Sequence, residues 1–456
     1  MKTDSLYRIY RECGCRVATD SRKIAGGELF FALKGENFDG NEYAFKALEA
    51  GAAYAVVDRC SSIVSGRSGE ESRELSDRLI PVDDTLKTMQ ELARWHRSVT
   101  SVDGRPLPVI ALTGTNGKTT TKELIREVLS VKYRVTATEG NLNNSIGVPL
   151  TLLRIDGSTQ IAVVEMGASH PGDIRELVSI ALPTYGLITN VGKAHLLGFG
   201  SFEGVMEAKG ELYDYLQRTA DPAFLNMDNQ YLRKMASDRP DLRTIPYGLM
   251  SEGAEVLPAS AGHPYLRIRL SDGQEIDTHL TGAYNADNVM SALAVGREFG
   301  VGETEAVKAI SAYIPSNNRS QIVKTEANVL IVDAYNANPT SMAAALDNLD
   351  SVEMHGKAVM LGNMLELGKD SVSEHVNIVR RLSVMKGLDC KVLVGDEFRK
   401  ALEDLESAGD SSGKGCIWFQ TSSQAAAYLK EHPVNGCCVL VKGSRGSRME
   451  EVIPEL

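Results

Sequence analysis

Two glycines, a lysine and three threonines stand together in Gly114-Thr115-Asn116-Gly117-Lys118-Thr119-Thr120. These residue types at this spacing suit a phosphoryl group. Glycines let backbone N–H groups close around phosphate oxygens, Lys118 brings a point charge to the outer phosphates, and the Thr119 hydroxyl can serve Mg²⁺. The apolar run Val109–Leu112 precedes the loop and a helix-compatible stretch, Lys122–Val131, follows it. That strand–loop–helix order also brings the positive end of a helix dipole to the phosphate. A longer form of such a loop carries a further glycine where this chain has Leu112, so the pattern here is the shorter G-x-x-G-K-T. The plainer reading, a tight βα turn with an exposed lysine, fits the flanking strand and helix less well.

Other side chains become candidates by position. Glu165 closes the apolar run Gln160–Glu165, and a carboxylate at a strand end opposite a phosphate loop can hold Mg²⁺. The competing reading is a solvated strand-end glutamate. His195, just past the run Tyr185–Asn190, is either a ligand or a structural histidine. Lys209, in Glu207-Ala208-Lys209-Gly210-Glu211, reads in isolation as an ordinary helix lysine. Asn285 and Asn288 open a helix and share one face. They can read an adenine edge, but taken alone the pair is better explained by helix capping.

The elements that must position these residues are legible as alternating patterns. Before residue 83, Glu28–Leu33 and Ala53–Val57 read as strands, Glu42–Gly51 as a glycine-closed helix, and Ser61–Asp77 as a polar excursion. The helix Thr85–Thr100 leads onward. From Val109 to about Ile314, apolar strands alternate with helices, which predicts a doubly wound, mostly parallel sheet. Gly114, Glu165 and Asn190 then fall at carboxyl ends of strands, where such sheets bind ligands. After a turn-rich joint at Pro315-Ser316-Asn317-Asn318, the runs Val329–Asp333, Val359–Gly362, Lys391–Gly395 and Cys438–Gly443 predict a Rossmann-like unit. The expected domains are 1–83, 84–314 and 315–456.

A chain of 456 residues needs more than one core. Its hydrophobic content of 43% and charged content of 24% are those of a globular protein. A net charge of −11 argues against a nucleic-acid surface and leaves any anionic ligand to be drawn by local cations. The seven cysteines are scattered, with no Cys-x-x-Cys pair, as in a reducing compartment. The polar N-terminus and the lack of any span-length apolar run predict a cytoplasmic protein without a membrane segment.

Taken together, the phosphate loop, Glu139-Gly140-Asn141-Leu142-Asn143-Asn144, Glu165-Met166-Gly167-Ala168, Asn190-Val191-Gly192-x-Ala194-His195 and Asp333-x-Tyr335-Asn336-Ala337-Asn338-Pro339 resemble the Mur ligases. The resemblance runs from Thr19-Asp20-Ser21-Arg22 to Val441-Lys442-Gly443-Ser444-Arg445. The Tyr335–Pro339 segment and Leu361-Gly362-x-Met364-x-Glu366-Leu367-Gly368 narrow it to the branch that adds D-alanyl-D-alanine. It implies three α/β domains: a small uridine-nucleotide-binding domain, a central phosphate-loop ATPase domain and a C-terminal Rossmann-like domain. It implies an ADP-forming ligase, acting as a monomer, that joins D-Ala-D-Ala to UDP-MurNAc-tripeptide through an acyl phosphate in peptidoglycan precursor synthesis.

The roles follow by position. Gly114 through Thr120, with Asn285, Asn288, Arg319 and Asp333, would bind ATP. Thr119 and Glu165 would bind one Mg²⁺. His195 and a carbamylated Lys209 would serve a second. Ser21 and Arg22 would meet the uridine nucleotide. Ala334 and Asn363 stand where the family pattern often has acids. A diamino-acid-adding Mur ligase or a folylpolyglutamate synthase is the near alternative, and a nucleotide-driven switch or kinase the distant one.

Overall fold

The computed structural model describes residues 2–35, 37–61, 74–258, 264–315, 321–354 and 356–456. Its first unit is a parallel sheet of four strands in the order Val17–Ala18, Leu29–Phe31, Tyr54–Asp58, Leu79–Val82. Side-chain alternation splits one strand between two cores. Phe30 packs with Ala44, Phe45 and Leu48 on one face, while Leu29 and Phe31 face Met89 and Leu92 on the other. The strand expected over Glu28–Leu33 is therefore shorter. Leu33 turns away to accept a hydrogen bond from Gly40 N at 2.9 Å. Most of the excursion expected over Ser61–Asp77 lies outside the described residues.

The helix Thr85–Val99 joins this unit to the next. The Asp84 side chain caps its start by accepting from Lys87 N at 2.8 Å. At its far end Arg97 is buried and donates to the carbonyls of Ala181 and Leu182. His96, also buried, has Nε2 at 2.7 Å from the Ile155 carbonyl and Nδ1 at 3.2 Å from the Tyr7 hydroxyl. A neutral imidazole that donates from Nε2 and accepts at Nδ1 satisfies both.

The central sheet is wholly parallel, in the order Val135–Ala137, Ile161–Glu165, Val109–Thr113, Tyr185–Ile188, Ala223–Asn226, Thr244–Tyr247. Its phosphate-loop strand is buried on both faces, with Val109 and Ala111 in one core and Ile110 and Leu112 in the other. The chain leaves this strand outward to Val135, returns to Ile161, and crosses to Tyr185. The switch in direction opens a crevice at the carboxyl ends of the three inner strands. One stretch departs from the doubly wound expectation. Glu255–Leu257, Arg267–Arg269 and Glu275–Asp277 form an antiparallel sheet. Asp272-Gly273 turns the chain, with Gly273 at φ +88°, and Ile268 and Ile276 are buried in the neighbouring core with Val256 packed against it.

The third unit is a six-stranded sheet in the order Gln321–Lys324, Val329–Asp333, Cys437–Lys442, Gly356–Gly362, Leu388–Val394, Cys416–Phe419. The first strand runs antiparallel and the rest parallel. Helices cover both faces over two separate cores. The chain thus has three mixed α/β units on parallel sheets. The cysteines form no disulfide, and among the described residues no helix is long and apolar enough to cross a membrane.

Burial holds the His96 imidazole below its ordinary range. The unfolded chain takes up this proton near about pH 6.5. The folded chain does so only at lower pH, so the stabilisation is complete above about 6.5 and is lost as pH falls through it. Urea unfolding near neutral pH and again at about pH 5 should therefore show a smaller acid-induced loss for His96→Gln than for the parent. Equal losses would remove His96 as a source of acid sensitivity.

Candidate active site

The phosphate loop is built from two enforced glycines. Gly114 lies at φ +146° with no room for a side chain: a Cβ there would sit 2.0 Å from Thr189 Oγ1. Gly117, at φ +80°, caps the helix Lys118–Ser130, and a Cβ would meet Asn288 Oδ1 at 2.6 Å. The helix thus starts at Lys118, earlier than the sequence pattern suggests, because Gly117 supplies the left-handed turn. The neighbouring strand end pins the loop. Thr115 N donates to the Asn190 carbonyl at 3.0 Å and Asn116 N to Asn190 Oδ1 at 2.9 Å. Thr189 Oγ1 and Asn190 Nδ2 both donate to the Asn116 carbonyl, at 2.6 and 3.1 Å. Lys118 Nζ folds back on the Gly114 and Thr115 carbonyls at 2.7 and 3.1 Å, which stations the cation at the loop.

Glu165 is buried, so it is no solvated strand-end acid. Its Oε2 accepts from Thr119 Oγ1 at 3.0 Å, its Oε1 from Asn143 Nδ2 at 2.8 Å, and its N–H donates to Thr138 Oγ1 at 2.9 Å. Lys209 is also no solvated lysine. It is 2% exposed on the helix Phe202–Thr219, with Nζ 3.4 Å from the Ala168 carbonyl and 5.5 Å from the Phe199 ring centroid. Burial, then the Lys118 charge, pushes its ammonium well below the usual lysine range. His195 takes a left-handed backbone, φ +50°, before the short helix Leu196–Phe199. Burial lowers its imidazole, a trend that Glu366 opposes and that Lys118 and Lys209 reinforce. Its Nδ1 meets the Glu366 carboxylate from the third unit.

Thr115 through Thr120, Glu165, His195, Asn285, Asn288 and Asp333 line one cleft of about 890 Å³. Asn285 and Asn288 are buried and brace the loop: Asn288 Nδ2 donates to Asn285 Oδ1 at 2.8 Å, and Thr121 Oγ1 donates to Asn288 Oδ1 at 2.9 Å. Asp333 faces the cleft from a third-unit strand end and pairs with the buried Lys442 ammonium. Gly114, Lys209, Ser21 and Arg22 are not among the lining residues. Arg22 is held by Asp20 at 2.9 and 2.8 Å. Arg319 lies outside the described residues.

Several lining residues were not singled out from sequence. Asp287 sits between the two asparagines, its carboxyl raised by burial. Asn338 caps the helix Pro339–Ser351 and donates from Nδ2 to Asn116 Oδ1 at 2.7 Å, across the two units. Glu366 and Thr340 complete that side. The motifs around Asn338 and Glu366 were visible, but which element they would face was not.

Three family models match the chain: "Mur ligase family, catalytic domain" over residues 16–97, "Mur ligase middle domain" over 112–296 and "Mur ligase, glutamate ligase domain" over 318–445. A UDP-N-acetylmuramoyl-tripeptide–D-alanyl-D-alanine ligase of Bacillus subtilis is 33% identical to it, with 96% of this chain and 92% of the relative covered. MurF from Acinetobacter baumannii matches in structure with a TM-score of 0.82 at 30% identity, covering 97% of this chain and 93% of that one. MurF ligase from Thermotoga maritima, solved in complex with ADP, matches with a TM-score of 0.78 at 27% identity, covering 96% of each chain.

Lys118→Ala removes a preorganised cation from the loop. Phosphate release from ATP should fall roughly 10²–10³-fold or more, while thermal melting and the circular dichroism spectrum stay at parent values. A variant within a few-fold of the parent would contradict the phosphate-loop role.

Proposed function

The chain belongs to the Mur ligase family, and on that premise we propose that the cleft joins a carboxylate of UDP-MurNAc-tripeptide to the amine of D-Ala-D-Ala with hydrolysis of ATP to ADP, a step of peptidoglycan precursor synthesis. The supporting observation is the convergence of Lys118, the Thr119–Glu165 pair and the third-unit residues Asp333 and Asn338 on one cleft. The ADP complex of a relative similar over the whole chain supports the nucleotide assignment.

The tripeptide carboxylate attacks the γ-phosphorus and ADP leaves, giving an acyl phosphate. The dipeptide amine then attacks the carbonyl carbon, and inorganic phosphate departs with the bond pair. Lys118 lowers the repulsion between carboxylate and triphosphate in the first step. The amine of the second step has an ordinary α-amino pKa near about 8, so a useful fraction is unprotonated without a strong base.

The oxygens of Thr119 and Glu165 suit Mg²⁺, which takes one or two carboxylates together with substrate phosphates. Bound there, Mg²⁺ supplies charge neutralisation on the transferring phosphate. His195 and Lys209 as they stand do not suit a second ion, because an ammonium repels it. Carbamylation would reverse that charge and supply oxygens. Burial favours the neutral amine, the form that adds carbon dioxide and loses a proton.

Asn285 and Asn288 are assigned to the adenosine end, Asp333 to the ribose, Arg319 to the phosphates, and Ser21 and Arg22 to the uridine nucleotide. The protein is taken as a cytoplasmic monomer with domains 1–83, 84–314 and 315–456.

Phosphate release should require both UDP-MurNAc-tripeptide and D-Ala-D-Ala. Lysine, diaminopimelate or glutamate in place of the dipeptide should support little turnover. Equal turnover with any of these would move the chain to another branch of acid–amine ligases. Lys209→Ala should be nearly inactive, and a short carboxylic acid should restore part of its activity and none of that of Lys118→Ala. Failure of every short acid would favour a structural lysine over a carbamate.

A further inference from the structure

The loop that follows the strand Tyr185–Ile188 does more than present His195. From Asn190 to Leu197 it runs along the third domain and meets it repeatedly. Gly192 packs so closely on Thr340 that a Cβ would lie 2.7 Å from its Oγ1. Lys193 N donates to that same oxygen at 3.2 Å. Lys193 Nζ reaches Glu374 Oε1 at 2.7 Å. His195 meets Glu366, and Leu197 N donates to the Glu366 carbonyl at 3.2 Å. The Leu197 side chain covers Gly368.

Most of these contacts belong to residues that line the cleft or adjoin it in the loop. Lys193 and Glu374 differ, since neither is among the lining residues. Glu374 stands in the first turn of the helix Ser371–Val384 with its side chain only 11% exposed, and it turns that carboxylate across the boundary to Lys193. A largely buried carboxylate whose cation comes from another domain loses its partner whenever the domains part. The pair, with the Lys193 side chain 53% exposed, therefore favours the arrangement in which the two domains meet, and it stands outside the lining of the cleft.

We propose that Lys193 and Glu374 are positioning residues for ligation: an interdomain clasp that seats the third domain on the His195 loop while the reaction proceeds. This rests on the ligase reading above. The second step needs the amine, the acyl phosphate and the phosphate loop held in one register, so loss of the clasp acts on the dipeptide step more than on nucleotide binding.

A double-mutant cycle with Lys193→Met, Glu374→Gln, the double variant and Lys193→Arg tests it. Each single variant should lower kcat/KM for D-Ala-D-Ala about tenfold. The affinity for a non-hydrolysable ATP analogue, measured by calorimetry, should fall by less than kcat/KM does, because the phosphate loop keeps its own contacts even where Asp333 moves with the third domain. The double variant should be no worse than the worse single, because both changes remove the same contact, and Lys193→Arg should keep near-parent activity. Small-angle scattering with the ATP analogue should show the two singles and the double more extended than the parent, and Lys193→Arg alike to it. Additive losses in the cycle, or singles with parent-like kinetics and scattering, would overturn the clasp. A parent that shows no dipeptide-dependent turnover would instead overturn the ligase reading, and the scattering series would still decide the clasp.

Discussion

A triphosphate and a carboxylate repel each other, and the protein must bring them together although its own net charge is −11. Every feature of the cleft answers that constraint. Among the described residues the positive groups at the cleft are fixed in place: Lys118 folded on its loop, the N-terminus of its helix, and Lys442 paired with Asp333. Buried Lys209 is driven by contrast toward its neutral form, by desolvation and by the Lys118 charge.

The loop that carries Lys118 keeps its shape through a neighbouring strand end as well as through its own glycines. Thr189 and Asn190 hold both edges of Asn116, and Thr189 fills the space that makes Gly114 obligatory. The same segment continues as the strip that meets the third domain at Thr340, Glu366 and Glu374. One stretch of chain, from Thr189 to Leu197, thus touches both the phosphate loop and the third domain. Asn338 adds a second link, since it caps a third-domain helix with one amide atom and meets Asn116 with the other.

Local chemistry was legible in the sequence, and long-range partnership was not. The phosphate loop, its strand and Glu165 are set by neighbours in sequence, so the pattern of types was enough to find them. The i, i+3 spacing of Asn285 and Asn288 gave their shared face, but their bond to Thr121 in the phosphate-loop helix depends on how two helices pack. The antiparallel sheet within 255–277 was read as part of the parallel alternation, because a short apolar strand looks alike in either setting until its turn is formed. Asn116 and Asn338 are 222 positions apart, and Lys193 and Glu374 are 181 apart. No local pattern joins such residues. Single charged side chains like these read as solvated surface until the domains are assembled around them.

The central claim is that the substrate carboxylate itself takes the γ-phosphoryl group of ATP. The most direct measurement uses UDP-MurNAc-tripeptide carrying heavy oxygen in the reacting carboxylate, with ATP, Mg²⁺ and D-Ala-D-Ala, and follows the released phosphate by mass spectrometry. The account predicts one heavy oxygen in each phosphate released, because the carboxylate oxygen that attacks phosphorus leaves with it when the amine displaces phosphate. Phosphate free of the label, with ligated product formed, would contradict the acyl-phosphate route.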